Sequence, residues 1–141
     1  MSNQKNVLMI CTDHWPGSFL RCAGRNDIMT PTLDYLANNG VRFENCYSEC
    51  PVCIPARRTM MTGLSPKTHR DRVYSDRMEM PDVPTLAETF RKNGYQTMAV
   101  GKLHVYPQRN RIGFEDVILA EEGRYELGTV DDYQIWMGEH G

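Results

Sequence analysis

The stretch Pro84-Thr85-Leu86-Ala87-Glu88-Thr89-Phe90-Arg91-Lys92-Asn93-Gly94-Tyr95-Gln96-Thr97-Met98-Ala99-Val100-Gly101 decides the fold class of this chain. A proline at its start and Asn93-Gly94 past Phe90 are the punctuation of one short helix. Thr97 to Val100 then reads as a short buried strand, and Gly101 lets the chain turn sharply as it leaves a sheet. The same punctuation occurs upstream. There Thr30-Pro31-Thr32 opens a helix that runs through Leu33 and Leu36 to Asn39-Gly40. It lies between expected strands at Val7 to Thr12 and Val41 to Cys46, which together make a βαβ unit. Downstream, a weaker strand covers Glu115 to Leu119. Asp131 to Glu139, with Tyr133, Ile135, Trp136 and Met137, reads as a helix ended by Gly141. The alternation predicts an α/β protein with three α/β/α layers and a mostly parallel central sheet. A polar loop between Leu64 and Asp82 is long enough to be functional.

Composition narrows the reading less. A length of 141 residues, 40% hydrophobic and 24% charged, suits an ordinary soluble domain. A net charge of -2 gives no reason to expect nucleic acid. From Cys53 to Arg77, however, six Lys or Arg stand against two Asp, a local excess that fits an anion-binding region. No stretch approaches the roughly 20 apolar residues needed to cross a membrane. No apolar segment of signal-peptide length follows Met1, and the five cysteines show no regular framework, so a reducing cytoplasm is the expected location.

Chemistry concentrates at Cys53-Ile54-Pro55-Ala56-Arg57, followed by Thr62-Gly63. Pro55 suits the first turn of a helix, and Arg57 falls one turn after Cys53 on the same side. The sulfur, the unpaired amides of a helix start and a guanidinium therefore converge on a corner that attracts an anion. Met60 and Met61 would anchor this helix and Gly63 would end it. Cys50-Pro51-Val52-Cys53 also has the spacing of a redox pair or half a zinc site. No second pair follows, and Cys50 reads as a small buried residue. Arg58 is expected to face solvent and His69 to lie at the surface. Lys102 and His104 would project beyond the carboxyl end of the strand before Gly101, where ligands sit in open α/β sheets. The apolar run from Val7 stops at Asp13-His14-Trp15, and a carboxylate at a strand end can ligate a metal or cap a turn.

Two of these stretches, Cys53-x-Pro55-x-Arg57 and Gly94 to Gly101-Lys102-Leu103-His104, resemble the two signatures of the type I sulfatases of the alkaline phosphatase superfamily. Ile54 stands where a smaller residue is commoner. The resemblance implies the alkaline-phosphatase-like fold, incomplete in this chain. It also implies that a formylglycine-generating or anaerobic sulfatase-maturing enzyme oxidises Cys53 to formylglycine, whose hydrated aldehyde supplies the attacking oxygen. Arg57 then stabilises that group, Lys102 resembles the lysine that binds the sulfate and the formylglycine oxygen, and His104 resembles the histidine paired with its hydroxyl. Asp13 and the oxygen of residue 53 are the metal ligands so implied, and His14, which stands where the family usually carries a second acid, is a candidate to bind the metal, hydrogen-bond to the ester or pack. Calcium is the expected ion, with manganese or zinc as alternatives raised by the nitrogen of His14.

The activity implied is hydrolysis of a sulfate ester. The resemblance covers the N-terminal part of a sulfatase catalytic domain across residues 1–141, so the remainder is expected to be absent and the chain alone inactive. Two alternatives stay open. One is a phosphonate monoester or phosphodiester hydrolase of the same superfamily, suggested by His14 in place of a second acid. The other is a non-catalytic remnant that folds with a partner chain or as an oligomer.

Overall fold

The computed structural model describes residues 4–122 and 124–141. It divides into two compact units, Met1–Cys46 and Tyr47–Gly141.

In the first unit, helix α1 (Pro31–Asn39) occupies the residues its punctuation predicts, with Pro31 at the first helical position. Thr30, buried just before it, accepts a hydrogen bond from Arg21 N at 3.1 Å and donates to Asp34 Oδ1 at 3.2 Å. The same Asp34 oxygen accepts from Cys22 N at 3.0 Å, so an acid in the first helical turn ties α1 to the 3-10 turn Arg21–Ala23. The expected strands at residues 7–12 and 41–46 do not form, and the βαβ reading is corrected accordingly. A strand exists only where a neighbour completes its hydrogen-bond ladder. The sheet of the described residues has two strands, both in the other unit. Leu8 and Ile10 of the apolar run are 85% and 77% exposed.

The second unit contains α2 (Cys53–Thr62), α3 (Pro66–His69), α4 (Leu86–Lys92), β1 (Met98–Gly101), β2 (Asp116–Leu119) and α5 (Asp132–His140). β1 and β2 pair in parallel, with Met98 opposite Asp116 and Gly101 opposite Leu119. Because side chains alternate along a strand, Ala99, Val117 and Leu119 turn to the interior while Met98, Val100 and Ile118 are exposed. The interior cluster is Met61 from α2, Leu103 and Val105 just after β1, Ile112, and Leu119, flanked by Met60, Met80 and Phe114. Each such burial contributes about 1.5–3 kcal/mol.

Polar ties set the ends of these elements. Thr85 caps α4 by accepting from Glu88 N at 3.1 Å, and its hydroxyl donates to Ile112 O at 2.6 Å, joining the helix start to the crossover between the strands. α5 begins with a capping box between Asp131 and Gln134. Asp132 Oδ2 accepts from Leu119 N at 2.6 Å, fixing α5 to the end of β2. A short parallel sheet with helices around it is the pattern of an incomplete α/β domain. No helix of the described residues is long and apolar enough to cross a membrane.

Candidate functional site

Cys53 is the first residue of α2, preceded by Val52 in extended conformation. The sulfur-bearing residue is half-buried at the end of a helix whose first N–H groups have no intrahelical partner. Ile54 and Pro55 are buried and anchor that end, which gives the uncommon Ile54 a packing role. Gly63 closes the helix at φ 69°, where any other residue would be strained, and its N–H donates to Thr59 O.

Arg57, one turn after Cys53, donates from Nη1 to Lys102 O at 2.5 Å. This bond joins the first signature to the second. β1 ends at Gly101 with φ 105°, and the chain turns there as the sequence requires. Lys102 Nζ then lies 2.6 Å from Glu122 Oε1. His104 is buried in a left-handed backbone conformation, φ 54°, a region few non-glycine residues enter and one found at functional sites. Its Nε2 is 3.3 Å from Glu122 Oε2 and 3.8 Å from Glu121 Oε2, and Tyr74 meets the ring edge-on at 6.1 Å. Among the described residues neither ring nitrogen is in a hydrogen bond. Burial holds the imidazole below its usual range, with Lys102 and Arg124 adding to the effect and Glu121 and Glu122 opposing it. A neutral imidazole can take up a proton. Burial and a hydrogen bond with Asp76 push the Tyr74 phenol up to about 12.

The structure thus brings Arg57, Lys102 and His104 together through main chain and carboxylates, with Cys53 at the head of the helix that carries Arg57. Asp13 and His14 belong to the first unit. There Asp13 Oδ1 and His14 Nε2 lie 3.5 Å apart, both residues exposed, with His14 at φ 49°.

Two expectations are corrected. Arg58 does not face solvent and His69 is not at the surface, for both are buried. Arg58 Nε lies 3.1 Å from Asp71 Oδ2, and its two terminal nitrogens donate to Glu79 O and Met78 O. His69 Nδ1 accepts from Asp71 N at 3.2 Å, which leaves Nε2 to carry the proton and donate to Thr59 Oγ1 at 3.0 Å. Burial pushes the Asp71 carboxyl up and the Arg58 guanidinium down, each opposed by the other's charge. Burial, then Arg58, lowers His69. The loop after α2 is therefore pinned to the helix from inside.

Glu121, Glu122 and Arg124 around His104 escape the sequence reading. They sit in an acidic segment with no motif, and only their distance from His104 in space marks them.

The profile of a family described as Sulfatase matches residues 5–139 of this chain. An arylsulfatase of Clostridium perfringens is 37% identical over 95% of the chain and 30% of its own length. A choline-sulfatase of Rhizobium meliloti is 31% identical over 94% of the chain and 26% of its own length. The solved structure of a 2-O GAG sulfatase superposes with a TM-score of 0.63 at 28% identity, covering 77% of this chain and 24% of that one. The chain thus spans 30% or less of the length of these relatives.

Proposed function

From this chain's membership of the sulfatase family, which is plain, we propose that residues 1–141 form the N-terminal part of a sulfatase catalytic domain and carry its nucleophile. The fold is the α/β fold of that family, alkaline-phosphatase-like and incomplete here. The family generally uses a divalent metal and a formylglycine, and its substrates are sulfate esters.

The observation that carries the reading is the bond from Arg57 to Lys102 O, which puts the cation after Cys53 beside the Lys102–His104 corner. Cys53 is the residue to be converted by a sulfatase-maturing enzyme, and the converted side chain supplies an attacking oxygen in place of the thiol. Arg57 and Lys102 offer positive charge to the sulfate group, which gains most where charge develops on its oxygens. Lys102 exchanges Glu122 for the ester oxygen as the anion enters. His104, neutral and dry, takes and returns a proton at the nucleophile.

Asp13 and His14 present an oxygen and a nitrogen on adjoining exposed residues, a donor pair that fits a divalent ion. Calcium is the ion the resemblance implies, and the nitrogen favours manganese or zinc. When bound, such an ion supplies Lewis-acid stabilisation of negative oxygen.

The test is peptide mass spectrometry of residue 53 after co-expression with a maturing enzyme, beside rates on an aryl sulfate and an aryl phosphonate. An aldehyde at residue 53, and loss of all turnover in Cys53→Ala of the complete enzyme, is the expected result. A thiol that survives co-expression, or full activity in Cys53→Ala, overturns the reading. Faster turnover of the phosphonate would favour the sister activity, for which His14 beside Asp13 speaks.

A further inference from the structure

We propose that Glu121 is the positioning residue of the Lys102–His104 corner, a part that neither signature assigns to it; this rests on the reading of that corner as catalytic. One oxygen, Glu121 Oε1, accepts two successive main-chain N–H groups, Leu103 N at 2.8 Å and His104 N at 2.9 Å. Successive amides that converge on one anion form a nest, and such a nest needs a residue in the left-handed region. His104 is that residue, with φ 54°. Leu103 and His104 are both buried, so without the carboxylate their amides would lose their partner away from water.

Glu121 is itself buried and, beyond those two amides, is held by Arg124 and Asp131. Arg124 Nη1 lies 3.2 Å from its other oxygen, Oε2, which is also the oxygen 3.8 Å from His104 Nε2. Its own N–H donates to Asp131 Oδ2 at 2.6 Å, in the capping residue of α5. Arg124 is steadied in turn by donating from Nη2 to Asp76 O at 2.9 Å. One carboxylate therefore sets the backbone that aims the imidazole and supplies part of the field around the ring. The other groups facing His104 are Lys102, Glu122, Arg124 and the Tyr74 ring.

The experiment is NMR on the full 141-residue chain, which needs no turnover and no conversion of Cys53. Glu121→Gln keeps the shape and leaves a neutral acceptor. Its Leu103 and His104 amides are expected to exchange with solvent about tenfold faster than in the parent, while β1 amides keep their rates. The His104 imidazole is also expected to titrate at lower pH than in the parent, because an opposing negative charge has gone while Lys102 and Arg124 remain. A purely structural role would not move that titration. Parental exchange at both amides with an unmoved imidazole overturns the proposal. Should Glu121→Gln fail to fold, Glu121→Asp decides: it keeps the charge but draws it back by one methylene, so faster exchange at the two amides supports the proposal and parental rates overturn it. Conversion of residue 53 and ester hydrolysis are read separately, so a failure of the functional reading and a failure of this one are told apart.

Discussion

Arg58 and Asp71 face each other where water does not reach, and the pair shows how a charge can become structural. Removing one member leaves the other buried and uncompensated, so Asp71→Ala is expected to cost about 3–5 kcal/mol in urea unfolding, while replacing both with apolar residues of similar volume costs far less. His69 and His104 make stability depend on pH. Burial makes both bind a proton less readily in the folded chain than an ordinary histidine, which titrates near 6.5. As the pH falls, the unfolded chain takes up protons first, so their contribution is complete above about pH 6.5 and is lost progressively below it. Thermal melts across that range should show a fall that is reduced in His69→Gln. The sequence reading placed Arg58 and His69 outside because basic side chains usually are. Arg58 is turned inward by Asp71, which lies beyond α3, and His69 by Thr59 of α2 on one side and Asp71 N on the other, and no local pattern records the partners that come from another element.

Among the elements, helices were the most legible. α1, α2, α4 and α5 begin and end within two residues of where Pro, Asp, Gly and Asn punctuate them, since caps are local chemistry. Thr85 shows a cap that also does tertiary work. Thr85→Val removes the bond to Glu88 N and the bond to Ile112 O together, and a loss of about 1–2 kcal/mol in chemical denaturation is expected. Gly63→Ala, at φ 69° with open space around the added Cβ, tests backbone conformation alone and should cost about 1 kcal/mol. Strands were less legible. The apolar runs at residues 7–12 and 97–100 look alike, yet the strand is Met98–Gly101, where β2 supplies the ladder.

At the scale of the whole chain, apolar surface is left uncovered. The sheet face of Met98, Val100 and Ile118, the run from Val7 to Ile10, and Tyr133, Ile135, Trp136 and Met137 on α5 are all exposed. Apolar side chains left exposed in each unit favour association. The 141-residue chain is therefore expected to bind a hydrophobic dye and to self-associate with rising concentration in sedimentation experiments. A monomer at every concentration, with no dye binding, would show these faces to be covered in solution.

The sequence by itself determined the family, the place of Cys53 at the start of a helix, the turn at Gly101 and the punctuation of α1, α2, α4 and α5, because motifs, caps and turns depend on residues close together in the chain. Only the tertiary structure decided that Arg57 reaches Lys102 O, that Asp71 draws Arg58 inward, and that Glu121 gathers the amides of Leu103 and His104. Each of those outcomes depends on desolvation and on a partner more than ten residues away. Such pairings are settled by what packing brings within hydrogen-bond distance, and a linear pattern does not encode them.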